Sequence, residues 1–195
     1  DALPIFKVLQ KQISNPENYK SKIYRGLLAY QKFGKIGKRR INKDMTFYHT
    51  NKEKIDWIFD QHRNTNHLYD GYLPYEFHLR LTLQIGQEYK WLLQKEFCKD
   101  DNISVSHFEH IIFPKIELGL VGHDLIENTN VSYNTTVQKL GCIPADMIFA
   151  LADEKGKTRE ERHSNKYYKD ILDTVHALYG KLCDRITNCR YSLLT

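Results

Sequence analysis

The chain has four cysteines, Cys98, Cys142, Cys183 and Cys189, and no pair of them stands in Cys-x-x-Cys spacing. That excludes the common thiolate zinc frameworks and leaves free thiols in a reducing compartment as the expectation. Glycine and proline are scarce, at 10 and 5 residues of 195, and the periodic segments between them are long, which points to an all-α fold. No apolar run approaches the roughly 18 residues that span a bilayer. The N-terminus also lacks a basic segment followed by an apolar one. A soluble, cytoplasmic protein is expected, so the sequons Asn130-Val-Ser and Asn134-Thr-Thr carry little weight. There are no internal repeats and no low-complexity segments.

What is present suits one globular domain: 41% hydrophobic and 12% aromatic residues can build a core that a disordered chain cannot. The net charge is +5, with basic residues crowded into Lys32–Lys43 and Lys155–Arg162. An anionic partner and a plain solvated surface both accommodate that excess. No aromatic residues interleave the basic ones in a recognised binding motif, so nucleic acid is disfavoured as a partner. Residues 1–49 read as a helical and basic-loop extension, with one or two short helices over 6–32, and residues 50–195 as the main domain. Asp1–Ile5, without an initiator Met, read as a processing or cloning remnant, and Thr195 as a fragment boundary soon after the last helix.

Within the main domain, Thr50-x-x-Glu53 has the pattern of a capping box opening a helix over 51–62. Pro74 suits the first position of a helix over 74–95. Leu79, Leu81, Leu83 and Ile85 alternate as a strand would, but the continuation through Tyr89, Trp91, Leu92 and Leu93 favours a largely buried helix. Ser104 or Ser106 is expected to cap one helix reaching Asn128, with Pro114 as a kink or break inside it. Further helices are expected over 132–140, closed by Gly141, over 144–154, from a second capping box at Thr158-x-x-Glu161 to about 172, and over 174–188.

On a continuous helix over 107–128, His123 and Glu127 lie four residues apart, and Asp124 and Glu127 three apart. An imidazole and two carboxylates then converge on one volume, a metal site with a spare base beside it. Asp184 and Asn188 repeat the four-residue spacing on the last helix and supply a further ligand and an amide. Asp184 also reads as a surface acid paired with Arg185 or Lys181, against which the preceding Leu182-Cys183 argues. The chemistry these residue types serve is metal-assisted hydrolysis.

His78 in Pro74-Tyr75-Glu76-Phe77-His78, the His123-Asp124 pair, and Asp184 within Lys-Leu-Cys-Asp-Arg-Ile-Thr-Asn188 together resemble the signature of HD-domain metal-dependent phosphohydrolases. The closest pattern is that of the RelA/SpoT-type alarmone hydrolase domains and their small single-domain relatives. The resemblance spans about residues 57–192. It implies an all-α HD-domain bundle with a mononuclear metal held by His78, His123, Asp124 and Asp184, and with Glu127 and its neighbour as catalytic groups. Two nitrogens and two oxygens form a hard ligand set, suited to Mn²⁺ or Fe²⁺ and open to Zn²⁺ or Mg²⁺. Relatives usually carry Glu-Asp where this chain has Glu127-Asn128, and the amide cannot ionise.

The implied substrate is a nucleotide, foremost guanosine 3′,5′-bis(diphosphate) losing its 3′-diphosphate. Removal of phosphate from a 5′-nucleotide or of triphosphate from a dNTP is the alternative reaction. A catalytically weakened nucleotide sensor is the alternative class. Asn188 is the candidate for a base or ribose, with a helix C-terminal Asn as its plain alternative. Arg63, Lys155, Lys157 and Arg159, joined by Arg162, are candidates for phosphate, and a solvated face explains the last four equally well. His49, His62, His67, His107, His110, His163 and His176 read as structural residues.

Overall fold

The computed structural model describes residues 50–100, 103–152, 158, 164–174 and 176–193. The helical segment expected over 6–32, the basic Lys32–Lys43 loop, and Lys155, Lys157, Arg159 and Arg162 lie outside these residues.

Helix dominates, as the scarcity of glycine and proline leads one to expect. In chain order the elements are α1 (Lys52–Asn64), a hairpin of β1 (Leu68–Tyr69) and β2 (Leu73–Pro74), α2 (Glu76–Asp100) and α3 (Val105–His107). A π-helical stretch (Phe108–Ile112) leads into α4 (Phe113–Val121), followed by the single turn α5 (Leu125–Asn128). Then come α6 (Tyr133–Leu140), α7 (Cys142–Leu151), α8 (Asn165–Asp173) and α9 (Ala177–Ser192). No helix among the described residues is long and apolar enough to cross a membrane.

The central element is α2, which packs along α9 and α4. Its alternating apolar residues resolve into helical faces. Leu79 and Leu83, four apart, enter one cluster with Ile55, Ile58 and Phe59 of α1 and Leu118, Val121, Leu125 and Ile148. Phe77 and Leu81 enter a second with Leu73 and Tyr191. Ile85 joins the largest, with Phe108, Ile116, Leu120, Met147, Tyr167 and Cys183. Because the apolar residues of α2 serve three clusters they alternate as a strand's would, while Arg80, Gln84 and Glu88 keep a polar stripe at helical spacing. Where α2 crosses α4, Gly86 is required: a Cβ there would lie 2.2 Å from Cδ1 of Leu120.

Several boundaries differ from expectation. Asn51, not Thr50, precedes the first turn of α1, and its side chain makes no capping bond, so the Thr50–Glu53 box does not form. Pro74 pairs with Leu68 to close the hairpin, and α2 starts two residues later and runs on to Asp100. The single helix expected to reach Asn128 is broken. Ser104 caps its start, Oγ accepting from the backbone N of His107. Pro114 then stands in the first turn of α4 behind the π-helical stretch, because it has no N–H to give the preceding turn. The chain stops again at Gly122, whose N–H donates to the Leu118 carbonyl.

The later elements follow expectation more closely. Ser132 caps α6, and Gly141, at φ 98°, ends it in a conformation that favours glycine. The expected helix over 144–154 begins earlier, at Cys142, and ends at Leu151. Of the helix expected from Thr158 to about 172, residues 159–163 lie outside the described residues, and the described part is α8, capped by Ser164. His176, at φ 68°, turns the chain into α9, which reaches Ser192 rather than Asn188.

Candidate metal centre

Four of the sequence-selected residues come together where the apolar clusters meet. His78 sits in the first turn of α2, between Phe77 and Leu79, which face different clusters. His123 and Asp124 occupy the turn between α4 and α5, and Asp184 lies midway along α9. Both imidazoles are buried, at 2% and 3% exposure. The reason His123-Asp124 converge with the rest therefore differs from the expected one. They are not on one continuous helix with Glu127. Instead His123 Nδ1 donates to the Leu120 carbonyl at 2.9 Å, and the Asp124 carbonyl accepts from the N–H of Asn128 at 2.9 Å.

The separations within the cluster are those of a coordination shell. The two Nε2 atoms are 3.1 Å apart. Asp124 Oδ2 is 3.0 Å from His123 Nε2 and 3.5 Å from His78 Nε2. Asp184 Oδ1 is 3.3 Å from His78 Nε2 and 3.7 Å from His123 Nε2. Ligand atoms bound at roughly 2.1 Å stand about 3.0 Å apart when octahedral neighbours and about 3.4 Å apart when tetrahedral. His78, His123 and Asp184 form a group able to hold a metal ion, and Asp124 closes on it from the side. The bond from His123 Nδ1 to a carbonyl commits Nδ1 as a donor and turns Nε2 into the cluster, the nitrogen that would ligate a metal once it loses its proton. Cys183, one residue before Asp184, adds no soft ligand. Burial pushes its thiol up to about 12, so it stays protonated.

Electrostatics carry the same imprint. Burial alone lowers the pKa of His123, but Asp124 and Asp184 more than offset it and push it up to about 10. Burial would raise both carboxylates. Charge and hydrogen bonds from the imidazoles instead hold Asp124 and Asp184 well below the usual carboxylate range.

The remaining candidates are placed as follows. Glu127 lies on α5, exposed. Asn128 is half-buried, and its Nδ2 donates to the Tyr75 hydroxyl at 3.0 Å. Asn188 uses both ends of its amide: Nδ2 donates to Asp184 Oδ1 at 2.7 Å, and Oδ1 accepts from the Tyr69 hydroxyl at 2.9 Å. It orients the carboxylate that faces the imidazoles. Arg63 pairs with Asp60 at 2.8 Å and with the buried Glu76 at 2.5 Å. Removing it leaves the buried Glu76 carboxylate only the longer, 4.0 Å pairing with Arg80, so Arg63→Ala is expected to cost about 2 kcal/mol of stability. Urea unfolding reads that loss, and an unchanged midpoint would free Arg63 for another role.

Sequence reasoning passed over four residues around the cluster. The Tyr75 hydroxyl donates to Asp124 Oδ2 at 2.5 Å. The Tyr75 ring stacks on His67, 4.1 Å between centroids, and on His62, 4.9 Å. Tyr69 stacks on His78 at 4.7 Å. His62 is 1% exposed with neither ring nitrogen hydrogen-bonded, and burial lowers its pKa to about 4, so it is neutral. Tyr75 adjoins the Pro74 already singled out. The other three carried no signal that distinguishes them from core aromatics.

No family model, no curated protein and no solved structure matches the chain.

Proposed function

We propose that this chain is a metal-dependent phosphohydrolase of the HD type acting on a nucleotide, with guanosine 3′,5′-bis(diphosphate) the leading substrate and its 3′-diphosphate the leaving group. One observation carries the reading: His78, His123 and Asp184, from α2, the α4–α5 turn and α9, form a group able to hold a metal ion, and Asp124 Oδ2 lies 3.0 and 3.5 Å from the two imidazoles. A divalent ion held there, Mn²⁺ best suited to the ligand set, would supply an acidified water and a polarised phosphoryl oxygen. His78, His123, Asp124 and Asp184 are its ligands. Asn188 and Tyr69 hold Asp184 in place, and Tyr75 holds Asp124. Glu127, at the solvent edge of α5, takes the proton of the attacking water. The new P–O bond forms as the bond to the 3′ oxygen breaks; the ribose hydroxyl takes up a proton and pyrophosphate leaves.

A second reading, a nucleotide sensor, draws on Asn128, whose amide is bonded to Tyr75 and offers no acid or base. Incubating Mn²⁺-loaded protein with a nucleotide panel and separating the products tests the proposal. Pyrophosphate from the 3′ position supports it. Tripolyphosphate or orthophosphate selects the dNTP or 5′-nucleotide reaction, and tight binding without turnover selects the sensor.

A further inference from the structure

Asn128 stands where the resembled family usually carries a carboxylate, and a phenol stands between it and a candidate ligand. The Tyr75 hydroxyl has one proton and lies 2.5 Å from Asp124 Oδ2 and 3.0 Å from Asn128 Nδ2. The hydroxyl donates to Asp124 Oδ2, a carboxylate oxygen that accepts. The amide nitrogen only donates. The direction of both bonds is therefore fixed: Asn128 N–H to Tyr75 oxygen, and Tyr75 O–H to Asp124. The oxygen that receives the proton is the same Oδ2 that lies 3.0 Å from His123 Nε2 and 3.5 Å from His78 Nε2. The phenol ring itself stacks on His67 and on His62.

We infer that Asn128 and Tyr75 form a one-way hydrogen-bond relay that positions the metal-facing oxygen of Asp124, so that the amide at 128 is a positioning residue matched to Tyr75 rather than the remnant of a lost acid. A carboxylate at 128 would be a second acceptor competing for the one phenolic proton, and Asp124 would lose its share of it. The amide removes that competition and, by donating to the phenol oxygen, polarises the O–H toward Asp124. Outer partners of this kind typically set metal affinity or activity by about 10- to 100-fold. The inference rests on the metal-site reading above.

The test is a double-mutant cycle of Tyr75→Phe, Asn128→Ala and the pair, read two ways: Mn²⁺ Kd by titration, and urea unfolding of the metal-free protein. Tyr75→Phe keeps the ring in its stack, so the fold is retained. It is expected to weaken Mn²⁺ binding about 10- to 100-fold. Asn128→Ala should weaken binding by less, and the double variant should bind no more weakly than Tyr75→Phe, because Asn128 acts only through the phenol. Fold-changes that multiply in the double variant, or Tyr75→Phe binding like wild type, would overturn the relay. A wild-type protein that binds no Mn²⁺ removes the hydrolase reading. The metal-free cycle then decides the relay: losses smaller in the pair than their sum support it, and additive losses overturn it.

Discussion

His123→Ala and Asp184→Asn are each expected to reduce bound Mn²⁺ from about one ion per chain to near none and to lower nucleotide hydrolysis by at least about 10³-fold, because the ion contributes several kcal/mol to the barrier. The two variants fail for different reasons. His123 supplies a buried nitrogen whose tautomer is set by the Leu120 carbonyl, and alanine leaves nothing in its place. Asp184→Asn keeps the shape, and its Oδ1 still accepts from Asn188, so the pocket stays formed while the ligand charge is gone. Retained far-ultraviolet dichroism together with lost metal identifies a ligand defect. Full occupancy in either variant would remove that residue from the ligand set.

Metal affinity is expected to rise about tenfold per pH unit between pH 6.5 and 8.5, a total of roughly 100-fold. In the metal-free protein the neighbouring carboxylates push the pKa of His123 to about 10, above its unfolded value near 6.5. The stabilisation from that proton is complete below pH 6.5 and is lost as pH rises through about 10. An arriving cation must displace the proton, so binding is opposed wherever the proton is held and strengthens as pH approaches 10. Asp124 and Asp184 are held below the usual carboxylate range and add no step in this window. Calorimetric titration in buffers of different ionisation heat should report about one proton released per ion. A Kd that does not change with pH would mean the imidazole is already neutral.

How far the sequence reached can be judged residue by residue. The Asp184–Asn188 spacing was legible because α9 is regular there, and the predicted proximity is realised as a 2.7 Å bond. The two residues act on each other, however, rather than on a shared ligand. His123-Asp124 was legible as chemistry but not as geometry. A continuous helix was expected, whereas Gly122 ends α4 and the pair sits in the turn that follows. Local spacing could not reveal that the Leu120 carbonyl and the Asn128 N–H, not a shared helical face, fix these side chains.

The all-α fold was readable from long periodic segments, and α2 shows why the period was ambiguous: its leucines alternate because they serve different clusters, while the polar stripe of Arg80, Gln84 and Glu88 keeps the helical period. The hairpin over 68–74 was missed because its paired strands are only two residues each, although Asp70-Gly71, both at positive φ, is the turn signal that could have found it. That hairpin brings Tyr69 onto His78 and Asn188, a long-range arrangement that residue spacing cannot encode. Arg63 looked free for phosphate because its partner Glu76 lies across an intervening loop.

The most direct measurement is anomalous diffraction at the manganese edge from crystals grown with Mn²⁺. A single strong peak within about 2.3 Å of His78 Nε2, His123 Nε2, Asp124 Oδ2 and Asp184 Oδ1 is the predicted result. No peak there, or a peak held by other residues while these four keep their mutual contacts, would contradict the metal centre on which the proposed hydrolysis depends.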